Sequence, residues 1–293
     1  MSFPAPPAPS FAPEHAVSAP GTLRYEDCTQ DGRLMPIAVP PTLGVLWQAV
    51  IAKHAGSSNA IATGVVPVLT RLTIESYDQP IRVDRPIEIR AGFELAHAKE
   101  GGEVARLFMN MWSEVRGMAG RVGPFQRDAD YVPAGRLFAE HTFTRLFAPP
   151  DQRKVTGLQV EGFPAVPEAS YDMPPPATAH EAPDGATWTD ELSVDPTDIV
   201  FTLDQTDANQ HVNSLVYIRV FIDAAQRRLA ARGLPLKLRS SAVDIAYRKP
   251  SFAGDRVQAH LRVYDRAGAP GVAGMITGPD GKPRCYVRIQ FSR

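Results

Sequence analysis

The sequence predicts an α+β protein made of two tandem units, each a long helix wrapped by a curved antiparallel sheet. An order of strand, one amphipathic helix and then several strands occurs twice along the 293 residues, and a proline-rich stretch separates the two occurrences. Hydrophobic residues make up 44% of the chain and charged residues 22%, which is the balance of a protein with a sizeable core. Because a sheet curved around one helix buries that helix's apolar stripe, each occurrence is expected to form one unit.

The first unit is expected over residues 21–147. Its helix is predicted over 43–56, LGVLWQAVIAKHAG, where apolar side chains recur on one face at spacings of three and four. Gly56 is expected to end this helix, because glycine is common just past a helix end. The strands predicted to follow are 65–76, 85–99 and 103–117.

The second unit is expected over residues 188–293 and repeats that order. Its helix is predicted over 214–233, with Gly233 at its end and with arginines near its C-terminus, where the helix dipole favours cations. This repeated organisation is typical of hotdog domains, so the sequence predicts two tandem hotdog domains in one chain. The strands predicted in this unit are 198–206, 236–250, 255–266, 271–278 and 282–292.

Two proline-rich segments flank the first unit, in a chain that contains 28 prolines. Residues 1–20 are predicted to be a disordered arm. Residues 148–187 are predicted to be a linker, because proline lacks a backbone donor and suits neither a regular helix nor a central strand.

Composition and charge argue against several classes of function. The 31 basic and 32 acidic residues leave a net charge of -1, which does not favour nonspecific nucleic-acid binding. The N-terminus lacks a basic start and an apolar signal stretch, and no window approaches the roughly 18 apolar residues of a membrane span, so a cytoplasmic protein is expected. The seven histidines and two cysteines show no metal-ligand spacing, and no glycine-rich phosphate loop follows a strand. No metal and no cofactor are predicted.

The chemically most informative segment joins a predicted strand to the second helix and has the sequence TDANQHVNSLVY. Asp207, Asn209 and His211 alternate along this extended or turning segment. Because alternate side chains of such a segment point the same way, the three are expected to converge on one pocket wall. The first N–H groups of the helix have no partners within the helix, so they favour a developing oxyanion. A carboxylate, an amide, an imidazole and such donors suit acyl transfer to water.

Simpler interpretations of the same residues remain open. Asp207 and Asn209 are also residue types of an Asx-turn before a helix. Asn213 or Ser214 has the side chain of a helix N-cap. A histidine in a loop is commonly a hydrogen-bonded surface group.

The segment DANQHVNSLVYI resembles the D-x-N-x-H-V-N-N-x-x-Y-I motif of plant-type and bacterial acyl-ACP thioesterases, within the wider 4-hydroxybenzoyl-CoA thioesterase-like hotdog group. Ser214 stands where the family usually has a second asparagine. The resemblance covers about residues 198–255 and implies a double hotdog whose second half carries the active site. The residues that coincide with the motif are Asp207, Asn209, Gln210, His211, Val212, Asn213, Tyr217 and Ile218.

The resemblance implies that Asp207, Asn209 and His211 form the catalytic group. Asp207 would activate water or attack the thioester carbonyl directly. Asn209 would hold the carbonyl or the water, and His211 would orient or polarise these reacting groups. Asn213 and Ser214 would be auxiliary residues.

A second family segment, Tyr-Arg-Arg-Glu-Cys, lies on the following strand, where this chain has YRKPS over residues 247–251. Pro250 stands at the position of the glutamate, and Ser251 stands at the position of the cysteine. Three outcomes are open: Asp207 suffices, Ser251 or Asp255 substitutes, or hydrolysis is weak or absent.

The resemblance also implies where substrate binds. The first half would hold the acyl chain, with Trp47 or Met109 limiting its length, although both are equally typical of a hydrophobic core. Tyr217 is expected to contact substrate. Arg248 and Lys249 are expected at the surface that meets an acyl carrier protein or CoA thioester, although a solvated sheet edge explains them as well. The expected assembly is a monomer with an internal pseudo-dimer, or a homodimer.

Three functions follow from these expectations. The first is a thioesterase that releases the free acid from a fatty acyl or polyketide-type thioester of ACP or CoA. The second is a noncatalytic acyl-carrier binding protein or an acyl-transfer partner. The third is a hotdog enoyl hydratase or dehydratase, whose D-x-N-P-x-H motif places histidine five residues after aspartate, whereas His211 is four residues after Asp207.

Overall fold

A computed structural model of the chain describes residues 3, 5–123, 128–235 and 237–292. Within these residues, 13 strands form one sheet in which the two halves of the chain lie side by side. The halves join where β2 of the first half pairs antiparallel with β10 of the second, with Thr73 opposite Asp244. The predicted fold class is confirmed. Residue 236, the first residue of one predicted strand, lies outside the described residues.

The first half contributes five long or medium strands and the linker contributes one short one. Their order across the sheet is β1-β3-β4-β5-β2, and β6 pairs in parallel with β3. The strands are β1 (Ala16–Gly21), β2 (Val65–Ser76), β3 (Ile87–Glu100), β4 (Glu103–Met118), β5 (Tyr131–Arg145) and β6 (Ala169–Ser170).

The second half continues the same sheet in the order β10-β13-β12-β11-β7, with β8 and β9 also paired to β11. The predicted strand over 198–206 is wrong in length, because only two of its residues form β9 and a 3-10 helix, Leu203–Gln205, follows. The strands are β7 (Thr187–Trp188), β8 (Ser193–Val194), β9 (Ile199–Val200), β10 (Arg239–Tyr247), β11 (Arg256–Arg266), β12 (Ala269–Thr277) and β13 (Pro283–Ser292).

The second half has the long helix that the sequence predicts, α3, over Ser214–Ala231. Gly233 follows it with a φ of 71°, a left-handed conformation that glycine adopts without steric cost. Ile218, Phe221 and Ala225 are fully buried on the face of α3 that packs against the sheet. The sequence predicts an apolar stripe of Leu215, Ile218, Ile222 and Ala225. Ile218 and Ala225 are buried as predicted, whereas Leu215 and Ile222 are only half-buried and Phe221 belongs to the buried face.

The first half lacks the single helix predicted over 43–56. Instead, α1 covers Leu43–Ala49, and α2 covers Ala55–Ala62. The chain turns at Val50 (φ -120°, ψ -66°), and His54 then starts α2 by accepting the Gly56 N–H on Nδ1 at 3.2 Å. Gly56 is therefore inside a helix. A Cβ there would lie 2.6 Å from the Phe163 ring, so close packing explains this glycine.

The N-terminal segment is ordered where the structure describes it, which corrects the prediction of a disordered arm over 1–20. Residues 16–21 pair with β3 as β1. The Trp112 indole N–H donates to the Pro6 carbonyl at 3.0 Å, and the Phe11 and Trp112 rings lie 5.7 Å apart. Proline removes backbone donors but leaves carbonyl acceptors and packing surface, so this segment lies against the sheet. Residues 1, 2 and 4 of the predicted arm are outside the described residues.

The proline-rich segment over 148–187 contains only short elements, as its composition predicts, but it is packed along the first half. Val155, Leu158 and Phe163 are buried in the hydrophobic core. The Tyr171 N–H donates to the His97 carbonyl of β3 at 2.8 Å. The segment therefore covers part of the sheet. The unit boundaries at 147 and 188 stay a prediction.

A buried ion cluster lies where the two halves meet. Arg71 of β2 donates from Nε and Nη2 to the two carboxylate oxygens of Asp244 on β10, at 2.8 and 2.6 Å. Arg288 of β13 donates to the same carboxylate at 3.1 Å, and the Thr73 hydroxyl does so at 3.1 Å. All four side chains are buried. Because each buried charge depends on the others for compensation, the cluster ties β2, β10 and β13 together.

We expect Asp244→Ala to lower the free energy of unfolding by about 3–5 kcal/mol, because it leaves two buried guanidinium groups without their carboxylate. Urea unfolding followed by circular dichroism measures this change. Glu26→Ala is the control, since Glu26 pairs with Arg24 on the surface at 3.2 Å and its loss should cost about 1 kcal/mol or less. Equal costs for the two variants would contradict a special role for the cluster.

Candidate functional site

The segment over residues 206–213, called here the second-half turn, is a tight hairpin before α3. Thr206 bridges Val212 across it. The Asp207 N–H donates to the His211 carbonyl at 3.0 Å, and the Gln210 N–H donates to the Asp207 carbonyl at 2.9 Å. Gln210 has a φ of 65°, so the chain reverses there.

The turn brings Asp207 and His211 together but not Asn209. His211 Nδ1 lies 4.0 Å from Asp207 Oδ1, and both side chains are partly exposed. The same Oδ1 accepts the Asn209 N–H at 2.9 Å, which is an Asx-turn. Asn209 itself is exposed at the tip. Of the two expected backbone forms, extended or turning, the segment has the turning one. That the three side chains act together stays a prediction.

Asn213 is the N-cap of α3, which selects it over Ser214 among the two candidates. Its Oδ1 accepts the Leu215 N–H at 2.9 Å, and its carbonyl accepts the Val216 N–H at 3.0 Å. Its Nδ2 approaches Asp207 Oδ2 at 3.4 Å, a long contact. Two of the expected oxyanion donors are therefore occupied. Among the described residues, the Ser214 N–H has no hydrogen-bond acceptor.

Tyr217 and Ser251 hold the second-half turn against the rest of the site. The Ser251 N–H donates to the Tyr217 hydroxyl at 2.8 Å, and the Ser251 carbonyl accepts the Val212 N–H at 2.8 Å. Tyr217 and Ser251 are both buried. This places Tyr217 behind the turn, where its hydroxyl is already engaged, and not on an open substrate-contacting surface.

The Ser251 hydroxyl is buried, and among the residues that the structure describes its oxygen has no hydrogen-bond partner. Ser251 directly follows Pro250 and lies at the base of the turn. Asp255, the other suggested substitute for the family's glutamate, is engaged locally, since its Oδ2 accepts the Phe252 N–H at 3.0 Å. Ser251 is thus the nearer of the two to the turn, through its bond to Val212.

The two predicted cationic residues lie at the exposed end of β10. Lys249 Nζ pairs with Asp280 at 3.4 Å, so part of its charge is compensated on the surface. Arg248 is exposed, and its backbone N–H donates to the Arg284 carbonyl at 2.8 Å. Neither side chain contacts the second-half turn.

Trp47 and Met109 flank a buried histidine that sequence analysis did not single out. Met109 of β4 lies opposite His141 of β5. The rings of Trp47 and His141 meet edge to face, with centroids 6.0 Å apart. Burial lowers the pKa of His141 to about 4, so its imidazole is neutral at pH 7. This wall of the first half contains one polar side chain among apolar ones.

The first half contains a second turn with the same backbone pattern, over residues 28–35, called here the first-half turn. Gly32 and Gln210 occupy the same place in the two turns, and both have positive φ, 83° and 65°. Sequence analysis missed this repeat, because the side chains differ. The bridge between Cys28 and Leu34 corresponds to the bridge between Thr206 and Val212. Three hydrogen bonds also correspond: Thr29 N–H to Arg33 O (2.8 Å) matches Asp207 N–H to His211 O (3.0 Å); Gly32 N–H to Thr29 O (2.9 Å) matches Gln210 N–H to Asp207 O (2.9 Å); and Met35 N–H to Asp27 O (2.9 Å) matches Asn213 N–H to Gln205 O (2.9 Å).

Solved structures resemble this architecture along its full length. An acyl-ACP thioesterase from Bacteroides thetaiotaomicron matches with a TM-score of 0.61 and 17% identity, over 94% of this chain and 98% of that one. The chain has the double-hotdog fold of these proteins. The 12:0-ACP thioesterase from Umbellularia californica matches this double hotdog with a TM-score of 0.58 and 12% identity, over 94% of each chain. No protein-family model and no curated protein sequence matches the chain.

The described residues lack both a metal-binding cluster and a membrane-spanning helix. They contain no group of three or more His, Cys, Asp or Glu side chains that is arranged to hold a metal ion. In the same ranges, no helix is both long enough and apolar enough to cross a membrane.

The pKa of His141 predicts how stability depends on pH. In the unfolded chain, His141 should take up a proton near its ordinary pKa of 6.5, whereas the folded chain resists protonation down to about 4. Stability from this group is therefore complete above pH 6.5 and is lost as the pH falls toward 4, by up to about 3 kcal/mol. His141→Gln should flatten the curve of unfolding free energy in this window. Parallel curves for variant and wild type would contradict the assignment.

We expect Tyr217→Phe to loosen the second-half turn, because the Ser251 N–H loses its acceptor. Amide hydrogen exchange of residues 206–213 should accelerate. Tyr264→Phe is the matched control: it also removes one buried hydroxyl, which donates to the Ile289 carbonyl at 3.0 Å far along the sheet. Both variants should lose about 1–3 kcal/mol of stability. If Tyr217→Phe and Tyr264→Phe gave equal exchange rates at residues 206–213, the hydrogen bond between Ser251 and Tyr217 would not be what holds the turn.

Proposed function

We propose that the chain is a thioesterase that hydrolyses a fatty acyl or polyketide-type thioester of ACP or CoA to the free acid. The observation that carries the proposal is the position of Asp207 and His211, 4.0 Å apart in a turn at the N-terminus of α3. The likeness of the whole fold to that of acyl-ACP thioesterases supports it. The motif resemblance points to the same turn.

Asp207 is the proposed base or nucleophile. Its Oδ1 accepts the Asn209 N–H, whereas its Oδ2 has only the long contact with Asn213. Oδ2 is therefore the oxygen with spare capacity to accept a proton from water or to attack the carbonyl carbon. In the water route, the C–O bond forms as the water proton passes to Asp207. The C–S bond then breaks, and the departing thiolate takes up a proton.

The oxyanion of the tetrahedral intermediate is proposed to lie at the start of α3. The Ser214 N–H has no acceptor among the described residues, and the positive end of the helix dipole lies there. His211 is partly exposed on the same side as Asp207 and is placed to polarise the carbonyl. Asn209, at the exposed tip, is proposed to contact the substrate from the solvent side.

The first half is proposed to hold the acyl chain, with Trp47 and Met109 as part of its wall. Both pack near His141 on the concave, helix-covered side of the sheet. Because β2 and β10 pair within one chain, this half is always present beside the second-half turn. A monomer with an internal pseudo-dimer follows as the proposed assembly.

A second candidate is a noncatalytic acyl-carrier binding protein. Two observations favour it: Pro250 has no titratable side chain at the position of the family's glutamate, and Asp207 is engaged in an Asx-turn. An Asx-turn gives the aspartate a structural role that does not require chemistry.

The discriminating experiment measures thiol release from a panel of acyl-ACP and acyl-CoA thioesters. We expect Asp207→Ala to lower turnover by about 10²–10⁴-fold, the usual contribution of a general base. Asn209→Ala should lower it by up to about 10²-fold if the amide holds carbonyl or water. Asp204→Ala is the matched control, because Asp204 is an exposed aspartate in the adjoining 3-10 helix. It should leave turnover unchanged.

Equal activity of Asp207→Ala and wild type would overturn the proposed site. If wild type releases no thiol from any substrate but retains tight acyl-carrier binding, the noncatalytic function replaces the thioesterase.

A further inference from the structure

The first-half turn repeats the backbone of the proposed catalytic turn but carries different chemistry. Where the second-half turn has Asp207 and His211, the first-half turn has Thr29 and Arg33. Asp31 accepts from Arg33 Nη1 and from the Thr29 hydroxyl. The acid and imidazole are thus replaced by a hydroxyl and a fixed cation.

A second arginine reaches this turn from the other half of the chain. Arg239, at the start of β10, donates from Nη1 to the Ser76 hydroxyl at 2.7 Å and from Nη2 to Asp78 Oδ1 at 3.1 Å. Arg33 Nε lies 3.1 Å from that same carboxylate oxygen. One carboxylate therefore bridges two guanidinium groups.

The burial of these groups is unequal. The Arg239 side chain is 8% exposed, whereas the Asp78 side chain is 68% exposed. Arg239 Nε is buried and has no hydrogen-bond partner within the described part of the chain. The nearly buried cation is therefore compensated by a carboxylate that is mostly in water and free to exchange.

Arg33, Arg239, Asp31 and Asp78 thus form one group of paired charges at the first-half turn.

We infer that this group is a binding site for a phosphate-like oxyanion, which displaces the Asp78 carboxylate from between Arg33 and Arg239. Two guanidinium groups that each direct one nitrogen at the same oxygen atom suit an oxyanion with several acceptor atoms. The Asp78 carboxylate lies between Arg33 and Arg239, where the negative charge of the inferred ligand would lie. The inferred ligand is either free phosphate or the phosphate group of a CoA-type or phosphopantetheine carrier. Only the carrier source depends on the proposed thioesterase function.

Electrostatics support the site. Burial lowers the pKa of Arg239 from its ordinary value; the Asp78 carboxylate opposes this effect, and the charge of Arg33 adds a smaller lowering. A ligand with more negative charge than one exposed carboxylate would therefore stabilise the buried guanidinium further.

The competing interpretation is that Asp78 only fixes the two halves to each other. The two interpretations make opposite predictions for Asp78→Asn. If the ligand displaces the Asp78 carboxylate, replacing that carboxylate with a neutral amide removes an anion that competes with the ligand, and the affinity for the ligand rises. If it is purely structural, the variant gains no anion affinity.

The experiment is calorimetric titration of the full chain with inorganic phosphate, and separately with CoA, at constant ionic strength. We expect saturable binding to wild type, tightened about three- to fivefold by Asp78→Asn. Arg239→Lys should weaken binding about tenfold or more, because lysine cannot form the planar fork. Asp198→Asn is the charge-matched control: Asp198 is exposed and forms no ion pair among the described residues.

Each outcome decides the inference. Tightening by Asp78→Asn but not by Asp198→Asn supports the site, even if Arg239→Lys fails to fold. Identical behaviour of the two asparagine variants overturns it, as does absence of phosphate and CoA binding in wild type and Asp78→Asn. CoA that binds more tightly than phosphate and competes with it identifies a carrier as the source, and equal affinities identify free phosphate. None of these measurements requires thioester hydrolysis, so failure here is distinct from failure of the proposed function.

Discussion

The structure depends on the buried carboxylate of Asp244, which lies between Arg71 and Arg288 at the boundary of the two halves. A carboxylate with two guanidinium partners and one hydroxyl partner satisfies its charge and most of its lone pairs away from water. The same geometry sets the pairing of β2 with β10, because a shift of one residue would turn Asp244 toward the helix-covered core. With this pairing in place, the sheet continues from one half into the other, and the two turns take equivalent positions.

From that boundary outward, the two halves show the same backbone plan with different side chains. In the second half, α3 is continuous and the turn before it leaves Asp207 Oδ2 and the Ser214 N–H with spare hydrogen-bonding capacity. In the first half, the helix is divided at Val50, and the corresponding turn is closed by ion pairs around Arg33. Polar groups of the second-half turn therefore keep spare hydrogen-bonding capacity, while those of the first-half turn are paired with neighbouring charges.

Local sequence signals predicted the elements that depend on local contacts. Apolar periodicity and Gly233 together predicted α3 nearly to its last residue, because the two signals agree. Elements that depend on tertiary contacts were not predicted in this way. Strand β5 was missed, since its residues 131–145 mix buried polar and apolar side chains. Packing on Trp112 orders a proline-rich segment whose composition is typical of disorder.

Two further features lacked a decisive local signal. Alternation of Asp207, Asn209 and His211 did not distinguish an extended segment from an Asx-turn, and the structure has the turn. The sequence did not show that Arg239 pairs with Ser76 and Asp78, because these two residues lie more than 150 residues away in the chain.

Covalent connection of the halves has an evolutionary consequence. In a symmetric homodimer every substitution appears twice, so a change that converts one turn also converts its mate. Here the packed segment over 148–187 makes the encounter of the halves intramolecular, and their effective concentration no longer depends on expression level. Each turn is thereby free to diverge alone. Thr29 and Arg33 in one turn, and Asp207 and His211 in the other, show such a divergence: the same backbone pattern carries two different sets of side chains.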